Sequence, residues 1–262
     1  MAAETVPGFT EERFEAEGRA YPVHCAGSGP AVIVIPEVPG ITPQVRAFAL
    51  RVVDAGFSVY VPELFGEPMR PMTMPYALRT IARLCVGRTF HLLAARESSP
   101  VVDWLRALAR DVHERHGGPG VGAVGMCITG NFALGMMLDA PVIAPVLSQP
   151  SLPVARGSGL HASDAAIAEA HRKIDEEGAA ILGLRFKGDP MCPAARFKHL
   201  KREFGDAFEA IELDDATANP DGPWPPHSVL TNHLIDAEGE PTRAALDRTL
   251  AFLREHLRPE TA

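Results

Sequence analysis

The sequence predicts an α/β fold in which a mainly parallel central sheet is covered by helices on both faces. Short apolar runs alternate along the chain with longer stretches that carry apolar residues at helical spacing. The runs are apolar at nearly every position, which is typical of parallel strands buried on both faces. With 46% apolar and 22% charged residues, the composition is that of a folded globular protein. We interpret residues 1–262 as one domain, with a possible antiparallel edge hairpin at residues 11–26.

The individual strands and helices are predicted from apolar periodicity and from glycines that follow helical patterns. Gly117 directly follows one helical pattern, and Gly56 closes another two residues after its end, as is usual at helix C-termini. Buried strands are expected at residues 31–36, 57–61, 121–125, 142–147, 180–186 and 208–213. Helices are expected at residues 42–54, 99–116, 128–138, 163–177, 194–204 and 242–257.

Three stretches without a regular pattern are rich in proline, and each follows a predicted strand. They cover residues 63–80, 148–161 and 214–226. In open α/β sheets, ligands bind beyond the carboxyl ends of the strands. We therefore expect a functional site on the side of the sheet where these loops lie.

Charge and composition argue against several classes of function. Lys and Arg number 25 against 33 Asp and Glu, and the net charge of −8 with no basic run argues against nucleic-acid binding. No run of about 18 apolar residues is present and the N-terminus is acidic, so we expect no membrane span, no secretory signal and a cytoplasmic location. No CxxC or zinc-knuckle spacing is present among the four cysteines, so no metal site is predicted. These are Cys25, Cys85, Cys127 and Cys192.

The segment GMCITG, residues 125–130, lies between a predicted strand and a predicted helix and has the spacing G-x-C-x-x-G. It is similar to the pattern G-x-S-x-G, which forms the nucleophile elbow of α/β-hydrolases, a tight turn that raises the nucleophile above the sheet. Cysteine stands here in the place of the serine, and the second glycine comes one position later. Cys127 would then stand at a helix N-terminus, whose partial positive charge favours a thiolate. The backbone N–H of Ile128 would point at a developing oxyanion. The alternative is a buried cysteine in a glycine-rich turn.

Candidates for a base and its orienting acid follow in the chain order that such an elbow requires. Asp189 follows the strand at 180–186, and His227 follows the last strand and its Pro-rich loop. An imidazole can activate the thiol, and a carboxylate can hold the imidazole in one tautomer. Alternatively, Asp189 begins a turn before the next helix. His233, six residues from His227, is the rival base.

A further carboxylate, Glu37, directly follows the strand at 31–36 and would point into the site. In α/β-hydrolases the corresponding loop supplies the second oxyanion N–H, which here would come from Val38. The alternative for Glu37 is a solvated loop carboxylate near a helix start.

Together these segments resemble the dienelactone hydrolase family. The matching segments, from residue 35 to residue 229, are PEVPGI, VPELFG, GMCITG, KGDPMCP and HSV, in that order. The resemblance implies an α/β-hydrolase fold without metal or organic cofactor that hydrolyses esters and lactones, in the type member a dienelactone. It implies Cys127 as nucleophile, His227 as base and Asp189 as orienting acid. It further implies that Glu37 contacts the resting thiol and helps its activation when substrate binds.

One position departs from the family's pattern. The type member binds the substrate carboxylate with arginines, one of them four residues after the catalytic histidine, where this chain has Thr231. Arg79, Arg83 and Arg88 are candidates for the other cation, and we select Arg83 together with Ser228 as substrate-binding candidates. An ester or lactone substrate is predicted, and whether it is a dienelactone stays open.

Two other functions are compatible with the sequence. One is a non-catalytic binder or sensor of a small molecule with the α/β-hydrolase fold. The other is a redox sensor that uses Cys127 with Cys192. We favour a thiol-dependent hydrolase of small carboxylic esters or lactones, because a pure binder has no need of Cys127, Asp189 and His227 together. The oligomeric state is not predicted.

Overall fold

The computed structural model of this chain describes residues 5–86, 100–151, 159–160 and 162–258. Eight strands lie within these ranges: β1 (Thr10–Ala16), β2 (Arg19–Ala26), β3 (Ala31–Ile35), β4 (Ser58–Pro62), β5 (Val121–Met126), β6 (Val142–Ser148), β7 (Ile181–Phe186) and β8 (Phe208–Leu213). They form one sheet in the order β1-β2-β4-β3-β5-β6-β7-β8. The pairs β1–β2 and β2–β4 are antiparallel, and the five other adjacent pairs are parallel.

The central part of the sheet is covered on both faces. Every residue of the five strands β3 to β7 is buried, whereas the edge strand β8 exposes or half-exposes the residues in its middle. This confirms the predicted α/β fold with a mainly parallel sheet. The helices of the described ranges are α1 (Pro43–Asp54), α2 (Met74–Val86), α3 (Pro100–His116), α4 (Gly130–Gly135), α5 (Asp164–Glu177), α6 (Ala194–Phe204) and α7 (Pro241–Leu257).

An antiparallel hairpin occupies the edge of the sheet near the N-terminus. Glu17 and Gly18 form its turn with φ of 51° and 65°. A two-residue hairpin turn with both φ values positive matches the twist of its strands. β2 then pairs with β4, from Val23 opposite Pro62 to Ala26 opposite Val59. The hairpin thereby extends the parallel sheet at the position expected for residues 11–26.

The helix predicted at 128–138 is wrong in its length and start. A 3-10 turn, Cys127–Thr129, comes first, and α4 then spans only Gly130–Gly135. Glycine is a poor helix former, and here it stands at both ends of the helix. Apolar spacing alone does not indicate that the helix ends at Gly135, because Met136 and Met137 after it are apolar and buried as well.

The stretch 63–80, expected to be irregular, includes the start of α2 at Met74. Pro75 suggested a loop, but proline is tolerated in the first turn of a helix because the N–H that it lacks has no intrahelical partner there. The start of the helix predicted at residue 99 and most of the loop 148–161 lie outside the described residues. In the described part of the chain, no helix has the length and apolar character that would span a bilayer.

Candidate active site

The turn after β5 holds Cys127 in a strained backbone conformation. Cys127 has φ of 58°, a left-handed value that non-glycine residues rarely adopt. A Cβ on Gly125 would lie 2.2 Å from the carbonyl oxygen of Thr129, and one on Gly130 would lie 2.8 Å from Cα of Pro150. Neither position has room for a side chain, which explains why glycine stands at both ends of the segment GMCITG. Strain of this kind often accompanies a functional residue.

The side chain of Thr129 fastens this turn to the neighbouring strand. Its hydroxyl accepts the N–H of Met126 at 2.9 Å and lies 3.1 Å from the carbonyl oxygen of Ile35, the last residue of β3. Ile35 and Gly125 are also partners in the parallel ladder. The elbow and the loop that carries Glu37 and Val38 are therefore held at the same edge of the sheet. Motif reasoning did not single out Thr129.

Asp189 and His227 meet as an ion pair beyond the ends of β7 and β8. The Asp189 Oδ2 atom lies 2.7 Å from Nδ1 of His227, and both residues are buried. Oδ1 of Asp189 accepts the N–H of Met191 at 2.9 Å. The carboxylate therefore receives Nδ1–H of the ring, which leaves Nε2 facing the other way. The turn-forming alternative for Asp189 holds only in part, since one oxygen does bond to the following turn.

The pKa of His227 depends on its burial and on its neighbours Cys127 and Asp189. Burial by itself lowers the pKa of His227, but the negative charge of Cys127 and the hydrogen bond to Asp189 outweigh it and raise the pKa to about 10. An imidazolium is thus favoured wherever the sulfur carries a negative charge.

Ser151, which sequence reasoning missed, lies between Cys127 and His227. Its hydroxyl is 3.6 Å from Sγ of Cys127 and 3.4 Å from Nε2 of His227. Its backbone N–H donates to the carbonyl oxygen of Cys127 at 3.0 Å. Ser151 is buried and belongs to the loop after β6, so the position of that loop was the available signal.

His233, the rival base, has a structural position. Its Nδ1 accepts the backbone N–H of Ser228 at 3.1 Å and that of His227 at 3.3 Å. Its Nε2 donates to the carbonyl oxygen of Pro223 at 2.8 Å. Burial lowers the pKa of His233, which favours the neutral ring that these bonds require. His233 therefore holds the loop that carries His227.

Glu37 is buried inside a set of neutral donors. Its Oε2 accepts the hydroxyl of Ser228 at 2.7 Å and Nε2 of Gln149 at 3.1 Å. Its Oε1 accepts the hydroxyl of Thr231 and, at 3.5 Å, Nδ2 of Asn232. The interpretation as a solvated loop carboxylate is wrong, because only 2% of Glu37 is exposed.

The thiol contact that the resemblance implied for Glu37 has no counterpart among the hydrogen bonds of the described residues. The hydroxyl of Ser228, which was selected as a substrate-binding candidate, is engaged with Glu37. Thr231, the position where the family's type member has arginine, is engaged with the same carboxylate. Motif reasoning missed Gln149, which also accepts the N–H of Val229 at 3.4 Å and so links two loops.

The arginines considered for the substrate differ in position. Arg79 and Arg83 are exposed on α2, and Arg88 lies outside the described residues. A further arginine, Arg196, is fully buried below the site. Its guanidinium donates to the carbonyl oxygens of Pro150 and, at 3.2 Å, Met191, so it joins the loops after β6 and β7.

Cys192 and Cys25 are poor thiolates. Burial, followed by the charge of Asp189, raises the pKa of Cys192 to about 12. Burial and the charge of Glu12 raise the pKa of Cys25 to about 12. Across residues 5–86, 100–151, 159–160 and 162–258, no group of three or more His, Cys, Asp and Glu side chains is arranged to hold a metal ion.

The sheet and the strained turn after β5 place this chain in the α/β-hydrolase superfamily. It belongs to the dienelactone hydrolase family, whose model matches residues 19–214. A candidate carboxymethylenebutenolidase of Saccharomyces cerevisiae is 23% identical over 186 residues, covering 70% of this chain and 67% of that protein. The chain is accordingly a hydrolase of the dienelactone hydrolase type.

Two solved structures share the fold. A candidate dienelactone hydrolase of Klebsiella pneumoniae superposes with a TM-score of 0.62 at 18% identity, covering 94% of this chain and 98% of the other. A dienelactone hydrolase-like promiscuous phosphotriesterase from metagenomic libraries superposes with a TM-score of 0.61 at 17% identity, covering 96% and 100%. At such identities the likeness concerns the fold and not the substrate.

Proposed function

We propose that this chain hydrolyses small carboxylic esters or lactones through a triad of Cys127, His227 and Asp189. The observation that supports this most is the His227 ring itself. It bonds to Asp189 at 2.7 Å through Nδ1, while Nε2 lies 3.4 Å from the hydroxyl that also contacts the Cys127 sulfur. This is the relation of nucleophile, base and orienting acid that acyl transfer requires.

In the first half-reaction the Cys127 thiolate adds to the substrate carbonyl carbon and the carbonyl oxygen becomes an oxyanion. The N–H groups of Ile128 and Val38 are the proposed donors to that oxygen, from two loops at adjacent strand ends. As the intermediate collapses, the bond to the leaving alcohol breaks and the alcohol oxygen takes the Nε2 proton of His227. The product is a thioester on Cys127 and a neutral His227.

In the second half-reaction water attacks the thioester carbonyl and gives one proton to Nε2 of His227. The carbon–sulfur bond then breaks, which releases the acid and restores the thiolate and imidazolium pair. Asp189 keeps Nδ1 protonated throughout, so Nε2 alone exchanges protons. No cofactor takes part in these steps.

The redox and binding alternatives receive less support. A disulfide or sulfenate sensor that used Cys192 would need a reactive second thiol, but the buried thiol of Cys192 has a pKa raised to about 12. His227, in contrast, contacts the Ser151 hydroxyl that also contacts the Cys127 sulfur. A pure binder would gain nothing from burying the ion pair of His227 and Asp189 near a cysteine in a strained backbone conformation.

The test is hydrolysis of p-nitrophenyl esters of short acids and of a panel of lactones. Cys127→Ala should lower kcat at least about 10³-fold, because the attacking atom is lost. Cys25→Ala is the matched control, since it removes a thiol of β2 that the mechanism does not use. Unchanged turnover in Cys127→Ala would refute the triad, and ligand binding without turnover in the wild type would favour the binder.

A further inference from the structure

Ser151 has contacts that the triad alone does not explain. Its side chain is buried, only 2% of the residue being exposed, yet its hydroxyl faces the two reacting groups rather than a structural partner alone. The oxygen lies 3.6 Å from the Cys127 sulfur, 3.4 Å from Nε2 of His227 and 3.1 Å from the carbonyl oxygen of Gln149. A hydroxyl carries one proton to donate and two lone pairs to accept. It can therefore accept from Nε2–H and donate to one of two acceptors.

We propose that Ser151 is a positioning residue whose hydroxyl bridges the Cys127 thiolate and the His227 imidazolium in the resting enzyme. In that state Nε2–H donates to the Ser151 oxygen and the Ser151 proton points to the sulfur. Hydrogen bonds to a charged partner are stronger than those between neutral groups, so the bridge favours the thiolate over the thiol. The inference rests on the proposed function, since it assigns a role within the same triad.

The segment that carries Ser151 is held by three contacts, two of them with the elbow. The N–H of Ser151 donates to the carbonyl oxygen of Cys127 at 3.0 Å. Cα of Pro150 packs against Gly130 so closely that a Cβ there would lie 2.8 Å away. The carbonyl oxygen of Pro150 accepts a hydrogen bond from the buried Arg196. The hydroxyl is thus held in place before substrate arrives, which is how supporting residues make a site precise.

The carbonyl oxygen of Gln149 is a second acceptor for the Ser151 hydroxyl, and it allows Ser151 to release Cys127 and His227 during the reaction. Once Cys127 forms its bond to the carbonyl carbon, the sulfur loses its negative charge and becomes a poor acceptor. The Ser151 proton then turns to the carbonyl oxygen of Gln149 at 3.1 Å. Nε2–H of His227 becomes free to protonate the leaving alcohol. No proton is created or lost, because Ser151 keeps its own proton in both states.

The experiment measures the alkylation rate of Cys127 by iodoacetamide against pH, with the modified peptide quantified by mass spectrometry. Alkylation reports the thiolate directly and needs no ester turnover. In Ser151→Ala the midpoint of the profile should move up by about one pH unit, which corresponds to about tenfold less thiolate below the midpoint. Ser151→Thr keeps the hydroxyl and should keep the wild-type midpoint. Ser151→Gly also lacks the hydroxyl and replaces alanine if that variant folds poorly.

Ser58→Ala is the matched control, because it removes a buried hydroxyl at the opposite end of the sheet, where β4 begins. An unchanged midpoint in Ser151→Ala and Ser151→Gly would overturn the bridge and leave the proposed hydrolysis intact. If the midpoint moves in Ser151→Ala but the wild-type protein hydrolyses no ester, the bridge is supported and the proposed function is refuted.

Discussion

Two buried carboxylates at strand ends, Asp189 and Glu37, show how partners determine what a charge does. Each residue is only 2% exposed, and the sequence pattern predicts both as residues of the site. Asp189 has a histidine ring on one oxygen and a backbone N–H on the other. Glu37 has four donors, all of them neutral hydroxyls or amides.

The two carboxylates differ in whether a titratable side chain is among their hydrogen-bond partners. The Asp189 carboxylate faces a titratable group, so it contributes to the raised pKa of His227. The Glu37 carboxylate is satisfied by groups that do not titrate, and these come from the loops around Gln149 and Ser228. We infer that Asp189 acts on the chemistry and that Glu37 mainly joins loops. The variants below test this division.

The largest effect is expected from Asp189→Asn. The amide keeps the size of the side chain but removes the charge and can leave the His227 ring in the wrong tautomer, so kcat for an alkyl ester should fall about 10³–10⁴-fold. The pKa of His227 should fall from about 10, because the hydrogen bond to Asp189 is one of the causes that raise it. The alkaline limit of kcat, measured from pH 6 to 11, should therefore move to lower pH.

Asp206→Asn is the control for this variant, since Asp206 is a fully exposed carboxylate paired with Lys201.

The pair of Asp189 and His227 also affects the stability of the fold. A raised histidine pKa stabilises the fold in full below the ordinary value of 6.5, and the gain is lost as pH rises toward about 10. Urea unfolding between pH 6.5 and 10 should show a smaller pH dependence in Asp189→Asn. Wild-type kcat and an unchanged alkaline limit in Asp189→Asn would contradict the role given to this residue.

A smaller effect on activity and a larger one on stability are expected from Glu37→Gln. The amide turns one acceptor oxygen into a donor that faces other donors, so the free energy of unfolding should fall by about 1–3 kcal/mol. We expect kcat to fall about tenfold or less, through displacement of Ser228 beside His227. Thermal unfolding and ester turnover measured on the same preparation separate the two effects.

Thr231→Val serves as a milder control, because it removes one of the four donors and leaves the Glu37 carboxylate intact. If Glu37→Gln lost 10³-fold in kcat with an unchanged Tm, the carboxylate would act on the thiol as the family resemblance implied. The division between the two carboxylates would then be wrong.

The smallest effect is expected from His233→Asn. Burial lowers the pKa of His233, so the folded protein resists taking up the proton that the unfolded chain accepts below about 6.5. Stability should thus decrease as pH falls below 6.5, and His233→Asn should remove part of this loss while its amide oxygen still accepts from the His227 loop. Urea titrations at pH 5 and 7 measure this pH dependence, with His171→Asn, at a half-buried histidine of α5, as the control. An identical pH dependence in both variants would contradict the assignment.

The fold was predictable because burial on both faces leaves a direct trace in the sequence. Strands β3 to β7 are apolar at nearly every position. The order of Cys127, Asp189 and His227 along the chain matches one known arrangement. The start of α2 and the length of α4 were not predictable from apolar spacing, since local proline and glycine effects decide them.

Ser151 and Arg196 escaped sequence reasoning for a different reason. Their roles depend on which loops become neighbours in space, and Ser151 lies 24 positions from Cys127 and 76 from His227 along the chain. A serine in a Pro-rich loop and an arginine in a helix carry no local pattern that predicts these contacts. The donors around Glu37 are likewise gathered from distant segments. The single-domain interpretation and the substrate-binding role of Arg83 stay predictions.

The most direct test of the central claim is to trap the acyl-enzyme. The protein is mixed with a p-nitrophenyl ester, quenched in acid within milliseconds and digested for peptide mass spectrometry. The account predicts an acyl mass increment on the peptide that contains Cys127, and none in Cys127→Ala. Turnover of the ester with the increment on another residue, or with no acylated peptide at any quench time, would contradict it.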